Sequence, residues 1–343
     1  MKTNIILIIM LILLISCNKQ EEKKIESKQK KIDTSKVLSD KKNNYQVYLA
    51  DNVIRSEFGN LNVTYFGVST LLFDDGETQI LIDGFFSRPS YKEVKSTKIS
   101  TIKKLVDEVI SKYRMNRIRA IFVSHSHFDH ALDVAYVAQK TNADLYGSLS
   151  TLNIGRGGGL KENELYLFAP GKLLRFGKFG IIVLESIHSP MDYESNDVGQ
   201  EIQSPLSQPA YAKAFVEGGS YDFIIRYNNK TIYIKPSTNF IKGMLDPFNA
   251  DILFLGVSKT GSSDEEFRYR FYQQIVLKLR PDLVIPLHWD NSFQPPTEEL
   301  IPLTGNYNKN IDDFDWLIKR TKADNIQFKI IQWGKSMTLF SQR

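Results

Sequence analysis

One cysteine in 343 residues is too few for an internal disulfide, so nothing in this chain can be cross-linked to itself. Histidine is equally scarce. There are five, and three of them fall within six residues, His125, His127 and His130. Beyond the first fifteen residues no apolar run is long enough to cross a bilayer, which excludes a second membrane span. Residues 18–44 have no aromatic side chain and few apolar ones. They cannot bury a core and are expected to form a flexible tether. The folded remainder also lacks a charge bias. Of 44 Lys and Arg and 39 Asp and Glu, one lysine precedes the tether and nine lysines and five acids lie in it, so 34 of each sign remain beyond position 44. The basic character therefore belongs to the tether, and a nucleic-acid footprint on the domain is not supported.

What is present begins at the N-terminus. One lysine, Lys2, precedes the apolar run Ile5–Ile15, which has the length of a signal-peptide core rather than of a membrane span. The run closes on Leu14-Ile15-Ser16-Cys17, which resembles the bacterial lipobox. That resemblance implies a signal over residues 1–16, a lipidated Cys17 opening a Lys/Glu-rich tether over 17–45, and attachment to a membrane of a bacterial cell envelope, with the outer membrane or periplasmic face expected. Residues 46–343 are long enough for one large domain.

Within that domain, strands and helices alternate. A hairpin is expected around Asp74-Asp75-Gly76-Glu77, followed by a strand ending at Asp83. That aspartate reads equally as a turn cap and as a group that orients a site from behind its ligands. Apolar spacing predicts helices over 99–113, 131–140, 265–279 and 312–322, and further hairpins around Gly177-Lys178 and Asn228-Asn229. Residues 190–219 show no periodic element and read as a lid, binding loop or insert, with Tyr193 and Tyr211 available to a substrate. Ile154-Gly155-Arg156-Gly157-Gly158-Gly159-Leu160 is glycine-rich. It is either a phosphate cradle with Arg156 as its cation or simply a flexible loop.

The chemistry concentrates at Ser124-His125-Ser126-His127-Phe128-Asp129-His130. The stretch directly follows the buried-strand pattern Ala120-Ile121-Phe122-Val123. Imidazole and carboxylate at this density suit zinc and similar divalent ions. The remaining histidines, His188 and His288, also follow apolar strand patterns, and His188 precedes a proline-broken loop. Five scattered core histidines would not all sit at strand ends, whereas a convergent metal centre would place them there. Asp290, two residues past His288, joins Asp83 and Arg156 as a group that could support the site or touch substrate.

His-x-His-x-Asp-His followed by lone histidines after later strands resembles the metallo-β-lactamase superfamily of metallo-hydrolases. The likeness covers about residues 60–340. It implies an α/β, four-layer αβ/βα sandwich with mixed sheets and outer helices. By matching positions, His125, His127 and His188 would hold one metal and Asp129, His130 and His288 a second. Phe85-Phe86-Ser87-Arg88-Pro89 and Ile285-Pro286-Leu287-His288-Trp289 are loosely similar to the ascorbate-6-phosphate lactonase and N-acyl-phosphatidylethanolamine phospholipase D branches. One position departs from the family. Where a metal-bridging aspartate is usual, within Gly-Asp-Thr, this chain reads Pro236-Ser237-Thr238. A neutral hydroxyl is a poorer ligand than carboxylate and would leave the second position more positive.

The expected function is a membrane-anchored hydrolase of an ester, lactone or phosphodiester, acting on a small-molecule or lipid substrate. The expected cofactor is zinc, one or two ions, with manganese and iron left open. Zinc supplies a water nucleophile near neutral pH, and Asp129 would take its proton. A phospholipid-type phosphodiesterase and a non-catalytic metal- or ligand-binding lipoprotein are the competing readings.

Overall fold

The computed structural model describes residues 45–53, 60–190, 196–260, 263–295 and 310–341. The signal, Cys17 and residues 18–44 of the tether lie outside them, as does Tyr193. The chain divides into two compact units, 1–47 and 48–343, and the architecture below is that of the second. No helix among the described residues is long and apolar enough to cross a membrane.

The elements run in chain order as β1 (Leu61–Tyr65), β2 (Leu71–Asp74), β3 (Gln79–Ile82), α1 (Tyr91–Ser96), β4 (Lys98–Ile99), α2 (Lys103–Lys112), β5 (Ile118–Phe122), α3 (Phe128–Ala131), α4 (Val134–Thr141), β6 (Asp144–Gly147), α5 (Leu149–Gly157), β7 (Leu165–Leu167), β8 (Leu173–Phe176), β9 (Phe179–Ser186), β10 (Ala210–Tyr211), β11 (Ser220–Tyr227), β12 (Lys230–Lys235), β13 (Ile252–Gly256), α6 (Glu265–Leu279), β14 (Leu283–Leu287), α7 (Asn310–Ala323), β15 (Gln327–Phe328) and β16 (Ser336–Phe340). Two seven-stranded sheets result, ordered β16-β1-β2-β3-β5-β6-β7 and β15-β14-β13-β12-β11-β9-β8, with a separate β4–β10 ribbon.

Period-two alternation builds the layers. In β2 and β5, Leu72 and Ile121 join the cluster formed with Val106 and Val109 of α2, Val134 and Val137 of α4 and Leu152 of α5. Their neighbours Phe73 and Phe122 point to the other sheet. Phe73 meets Phe254 at 5.9 Å, and Phe122 meets Phe176 and Phe223 at 5.8 and 6.1 Å. On the far side of the second sheet, Phe271, Ile275 and Leu279 of α6 and Phe314 and Leu317 of α7 are buried. This is the αβ/βα sandwich expected from the resemblance. Each inward phenylalanine contributes about 1.5–3 kcal/mol of burial to holding the sheets together.

Local chemistry explains the turns and caps. Asp75 accepts from the Glu77 and Thr78 amides at 2.9 and 2.7 Å, closing the β2–β3 hairpin as its sequence foretold. Asp264 caps α6 by accepting from the Phe267 amide at 2.7 Å.

Two expectations change. The helix expected over 99–113 begins at Lys103, because Ile99 pairs with Ala210 and the amides of Thr101 and Ile102 are taken by Gln208 and Ser87. The glycine-rich stretch is no phosphate cradle. Most of it belongs to α5, where Gly157 allows close approach: a Cβ there would lie 2.0 Å from the Leu206 carbonyl oxygen. The last two strands go to different sheets. β15 pairs with β14 in the second sheet, while β16 returns to β1 in the first.

Candidate metal centre

Direction decides where the histidines meet. β3, β5, β6 and β7 run parallel, as do β12, β13, β14 and β15. β9 is antiparallel to β11, and β11 to β12, so β9 points the same way as β12. His125, His188, Ser237 and His288 therefore all leave strands at carboxyl ends on one edge of the sandwich, where open α/β sheets place their ligands.

Two groups form there, His125–His127–His188 and Asp129–His130–His288. Within each, the potential ligand atoms lie within 4.8 Å of one another. The rings of His125 and His130 are 3.8 Å apart and tie the groups together. All six residues line a cavity of about 810 Å³, as does Ser237.

Hydrogen bonds select which nitrogen of each ring is left for a ligand. His130 Nδ1 lies 2.8 Å from Asp83 Oδ2, leaving Nε2 to the site. Asp83 also accepts from the Ser124 amide at 2.6 Å and the Ser124 hydroxyl at 2.9 Å, so one carboxylate organises the start of the motif. Its φ of 53° also turns the chain at the end of β3. His188 Nδ1 is 2.8 Å from the Ser189 carbonyl oxygen, again freeing Nε2. His127 Nε2 faces both oxygens of Asp197 at 3.1 Å, leaving Nδ1.

The donor set fits a divalent cation. His125 Nε2 and His130 Nε2 are buried and have no hydrogen-bond partner. Such orphaned buried atoms cost about 1–3 kcal/mol each unless something binds them. Electrostatics agrees with ligand duty. Burial pushes the His125 imidazole well below its ordinary pKa, and the neighbouring histidines push the same way. Burial and then His127 lower His188 to about 3. Both are neutral near pH 7 and carry the lone pair a metal needs. Burial also pulls His127 down, but the Asp197 hydrogen bond and the Asp129 charge outweigh it and raise its pKa. Burial would raise Asp129, yet His130, His288 and His127 hold its carboxyl far below the usual range.

Some supporting groups were invisible in the sequence. Asp197 sits in the unpatterned 190–219 segment, and no local signal singles it out. Thr238 and Asn239 brace the His188 loop, through the Thr238 amide to Ser189 Oγ at 2.7 Å and Asn239 Nδ2 to the His188 carbonyl at 2.8 Å. Ser237 is thus flanked by residues that hold a ligand loop even though it offers no carboxylate itself.

Asp290 and Arg156 lie elsewhere. Neither lines the cavity. Arg156 is spent on Glu162, with Nε–Oε1 at 2.7 Å, which corrects its assignment as a substrate cation. Asp290 is buried behind the site. Its Oδ2 pairs with Arg88 Nη2 at 2.6 Å, and its Oδ1 accepts from the Tyr65 hydroxyl at 2.7 Å and the Val68 amide at 2.8 Å. The His288 amide in turn donates to the Val68 carbonyl at 2.6 Å. The adjacent Ser69 hydroxyl reaches Asp83 and lies 2.9 Å from His130 Nδ1. One turn, residues 67–70, therefore braces two histidines of the second group.

Comparisons with known proteins agree with this geometry. The model of the metallo-beta-lactamase superfamily matches residues 63–212. A UPF0173 metal-dependent hydrolase of Heliobacterium modesticaldum is 23% identical over 248 residues, covering 68% of this chain and 84% of the relative. Igni18, a metallo hydrolase from Ignicoccus hospitalis, superposes with a TM-score of 0.53 at 17% identity, over 82% of this chain and 100% of that one. The metallo-beta-lactamase fold protein YhfI from Bacillus subtilis gives 0.50 at 15% identity, over 80% and 98%. At these identities the two structures speak to the fold alone.

Proposed function

We propose, from the match of residues 63–212 to the metallo-beta-lactamase superfamily and the likeness to metal-dependent hydrolases, that the chain is a metal-dependent hydrolase acting on an ester, lactone or phosphodiester bond. The observation that carries the proposal is the pair of ligand groups opening into one cavity, with two buried imidazole nitrogens left unpartnered.

His125, His127 and His188 would hold one ion and Asp129, His130 and His288 a second. When bound, such ions polarise a carbonyl or phosphoryl oxygen and make water nucleophilic at neutral pH. Zinc is the ion proposed, because the set combines imidazole nitrogen with carboxylate oxygen. The protein's own part is positional and acid–base. Asp83, Asp197 and the Ser189 carbonyl fix the ring orientations. Asp129 Oδ2, 3.5 Å from His288 Nε2 and 3.9 Å from His130 Nε2, is held anionic and takes a proton from the attacking water. The apolar walls Phe128, Phe215 and Phe293 limit solvent around the substrate.

Elemental analysis of the purified chain, coupled to turnover on a panel of esters, lactones and phosphodiesters, tests this. Two zinc ions per chain with hydrolysis of at least one class is expected. Ser237→Asp should tighten the second ion by about tenfold or more, since it adds a carboxylate ligand. Bound metal with no turnover on any class would favour the non-catalytic binding protein. The signal and Cys17 further support a lipid-anchored enzyme of a bacterial envelope. Palmitate labelling should be lost in Cys17→Ser, and a labelled Cys17→Ser chain would refute the anchor.

A further inference from the structure

Ser126, between two of the ligands, is held by the segment that leads into β11. We infer that Glu217, in that segment, is a positioning residue of the first ligand group. Its carbonyl oxygen fixes the histidine motif and its carboxylate fixes the turn that carries Asp197, so His127 is set from both sides. This rests on the reading of His125, His127 and His188 as metal ligands, and it adds the residue that joins their supports.

Residues 217–221 lie alongside 124–126. The Ser126 amide donates to the Glu217 carbonyl and the Tyr221 amide to the Ser124 carbonyl, both at 2.9 Å. His125 sits between these two bonds, and His127 follows directly. Ser126 is buried, and a buried amide needs such a partner. The fit is close: a Cβ on Gly218 would lie 2.4 Å from Ser150 Cβ and 2.9 Å from Ser126 Oγ.

The carboxylate serves a second segment. Glu217 Oε2 accepts from the Gly199 and Gly219 amides, each at 3.0 Å, and Oε1 accepts from the Ser220 hydroxyl at 2.6 Å. Gly199 belongs to the turn 197–200, closed by the Gln200 amide on the Asp197 carbonyl at 2.9 Å. The Gly218 amide, donating to the Gln200 carbonyl at 2.9 Å, ties that turn to the same stretch. At the start of the turn Asp197 places both carboxylate oxygens 3.1 Å from His127 Nε2. One residue thus connects the backbone leading into His127 with the carboxylate that orients its ring.

Glu217 is only 3% exposed. A buried carboxylate persists where donors satisfy it, and three do so here. All three are neutral, two backbone amides and a hydroxyl, so the role requires reach rather than charge. A glutamine can reproduce the pattern: its oxygen accepts from Gly199 and Gly219, and its amide donates to Ser220 Oγ. An aspartate keeps the charge but is one methylene too short to span to Gly199 while its backbone stays bonded to Ser126.

Zinc affinity, read by competition with a chromophoric chelator, tests this. A His288→Ala background leaves the first group as the only complete one. There Glu217→Gln should stay within about threefold of its parent, and Glu217→Asp should bind zinc at least about tenfold more weakly. Glu217→Ala, which leaves room for water at the freed amides, stands in where Glu217→Asp does not fold. Asp197→Ala should weaken zinc by a similar factor. The double variant Glu217→Asp/Asp197→Ala should be no weaker than the weaker single one, because both residues act through one ring. Three results each overturn the inference: parent-like zinc affinity in Glu217→Asp, a Glu217→Gln loss as large as that of Glu217→Asp, or factors that multiply in the double variant. Turnover of esters, lactones and phosphodiesters, read with His288 intact, separates the two proposals. Turnover with a zinc affinity indifferent to residue 217 leaves the hydrolase standing and removes the positioning role. A zinc affinity that follows reach, with no turnover, keeps the positioning role and counts against hydrolysis. A parent chain that takes up no zinc overturns both.

Discussion

Asp290→Ala should destabilise the fold by about 3–5 kcal/mol, the cost of leaving a buried cation without its partner. Arg88 is the cation. Its Nη2 is 2.6 Å from Asp290 Oδ2 and 2.9 Å from the Phe66 carbonyl, with almost no solvent to replace the carboxylate. The pair also anchors unfavourable backbone. Val68, Arg88 and His288 have φ of 51°, 45° and 55°, and for a β-branched valine that region is a true outlier. Such residues cost about 1–3 kcal/mol each and persist only where surroundings enforce them. Gly67 is part of the enforcement. At φ 90° its missing Cβ would sit 1.5 Å from Arg88 Nη2, so the guanidinium fits only against a glycine. Urea denaturation of the metal-free protein reads the loss, and a midpoint shift worth less than about 1 kcal/mol would refute the account. Arg88→Met/Asp290→Leu should recover much of the stability, because removing both charges together leaves nothing unpaired.

The same carboxylate gives the pH dependence a sign. Burial would raise the Asp290 pKa, but Arg88, the Tyr65 hydroxyl and the Val68 amide outweigh it and hold the group below its ordinary value. Its contribution to stability is therefore complete above the unfolded value near 3.9 and is lost as pH falls through the lower folded value. In Asp290→Ala that acid-side slope should flatten.

Asp129→Asn should lower kcat/KM on any accepted substrate by about 10²–10⁴ while the chain stays folded. Asparagine keeps the shape and an oxygen but cannot take a proton and carries no charge for the imidazoles around it. The change lies at a half-buried position in α3, so far-UV circular dichroism should match the parent. Retention of more than about one-third of the parent turnover would remove Asp129 from the proton-transfer role. Elemental analysis of the same variant separates that role from ligation. An unchanged two-ion content with lost turnover points to acid–base work, and a one-ion content points to ligation.

How legible all this was depends on range. The strand patterns, the β2–β3 turn and α6 follow from residues adjacent in sequence, and they stand where the sequence placed them. Ile99 misled, because its place in a helical stripe says nothing of Ala210, its pairing partner more than a hundred residues away. The glycines after Ile154 misled for a related reason. They serve helix packing against Leu206 and Ala135, and a close backbone approach leaves no mark of its own in composition. Asp197, Thr238 and Asn239 could not be singled out, since each acts by touching a histidine loop from a distant segment.

The sequence by itself determined the ligand types and the sheet edges that carry them. A run of apolar residues ending in imidazole and carboxylate is a local chemical fact, and every histidine has that setting. Tertiary structure decided which nitrogen of each ring is free, that Asp83 and Asp197 choose it, that Arg156 is spent on Glu162, and that Asp290 with Arg88 braces His288 instead of meeting substrate. Those outcomes depend on distances of about 3 Å between residues far apart in the chain, and such distances are fixed only when the two sheets pack and bring their carboxyl edges together.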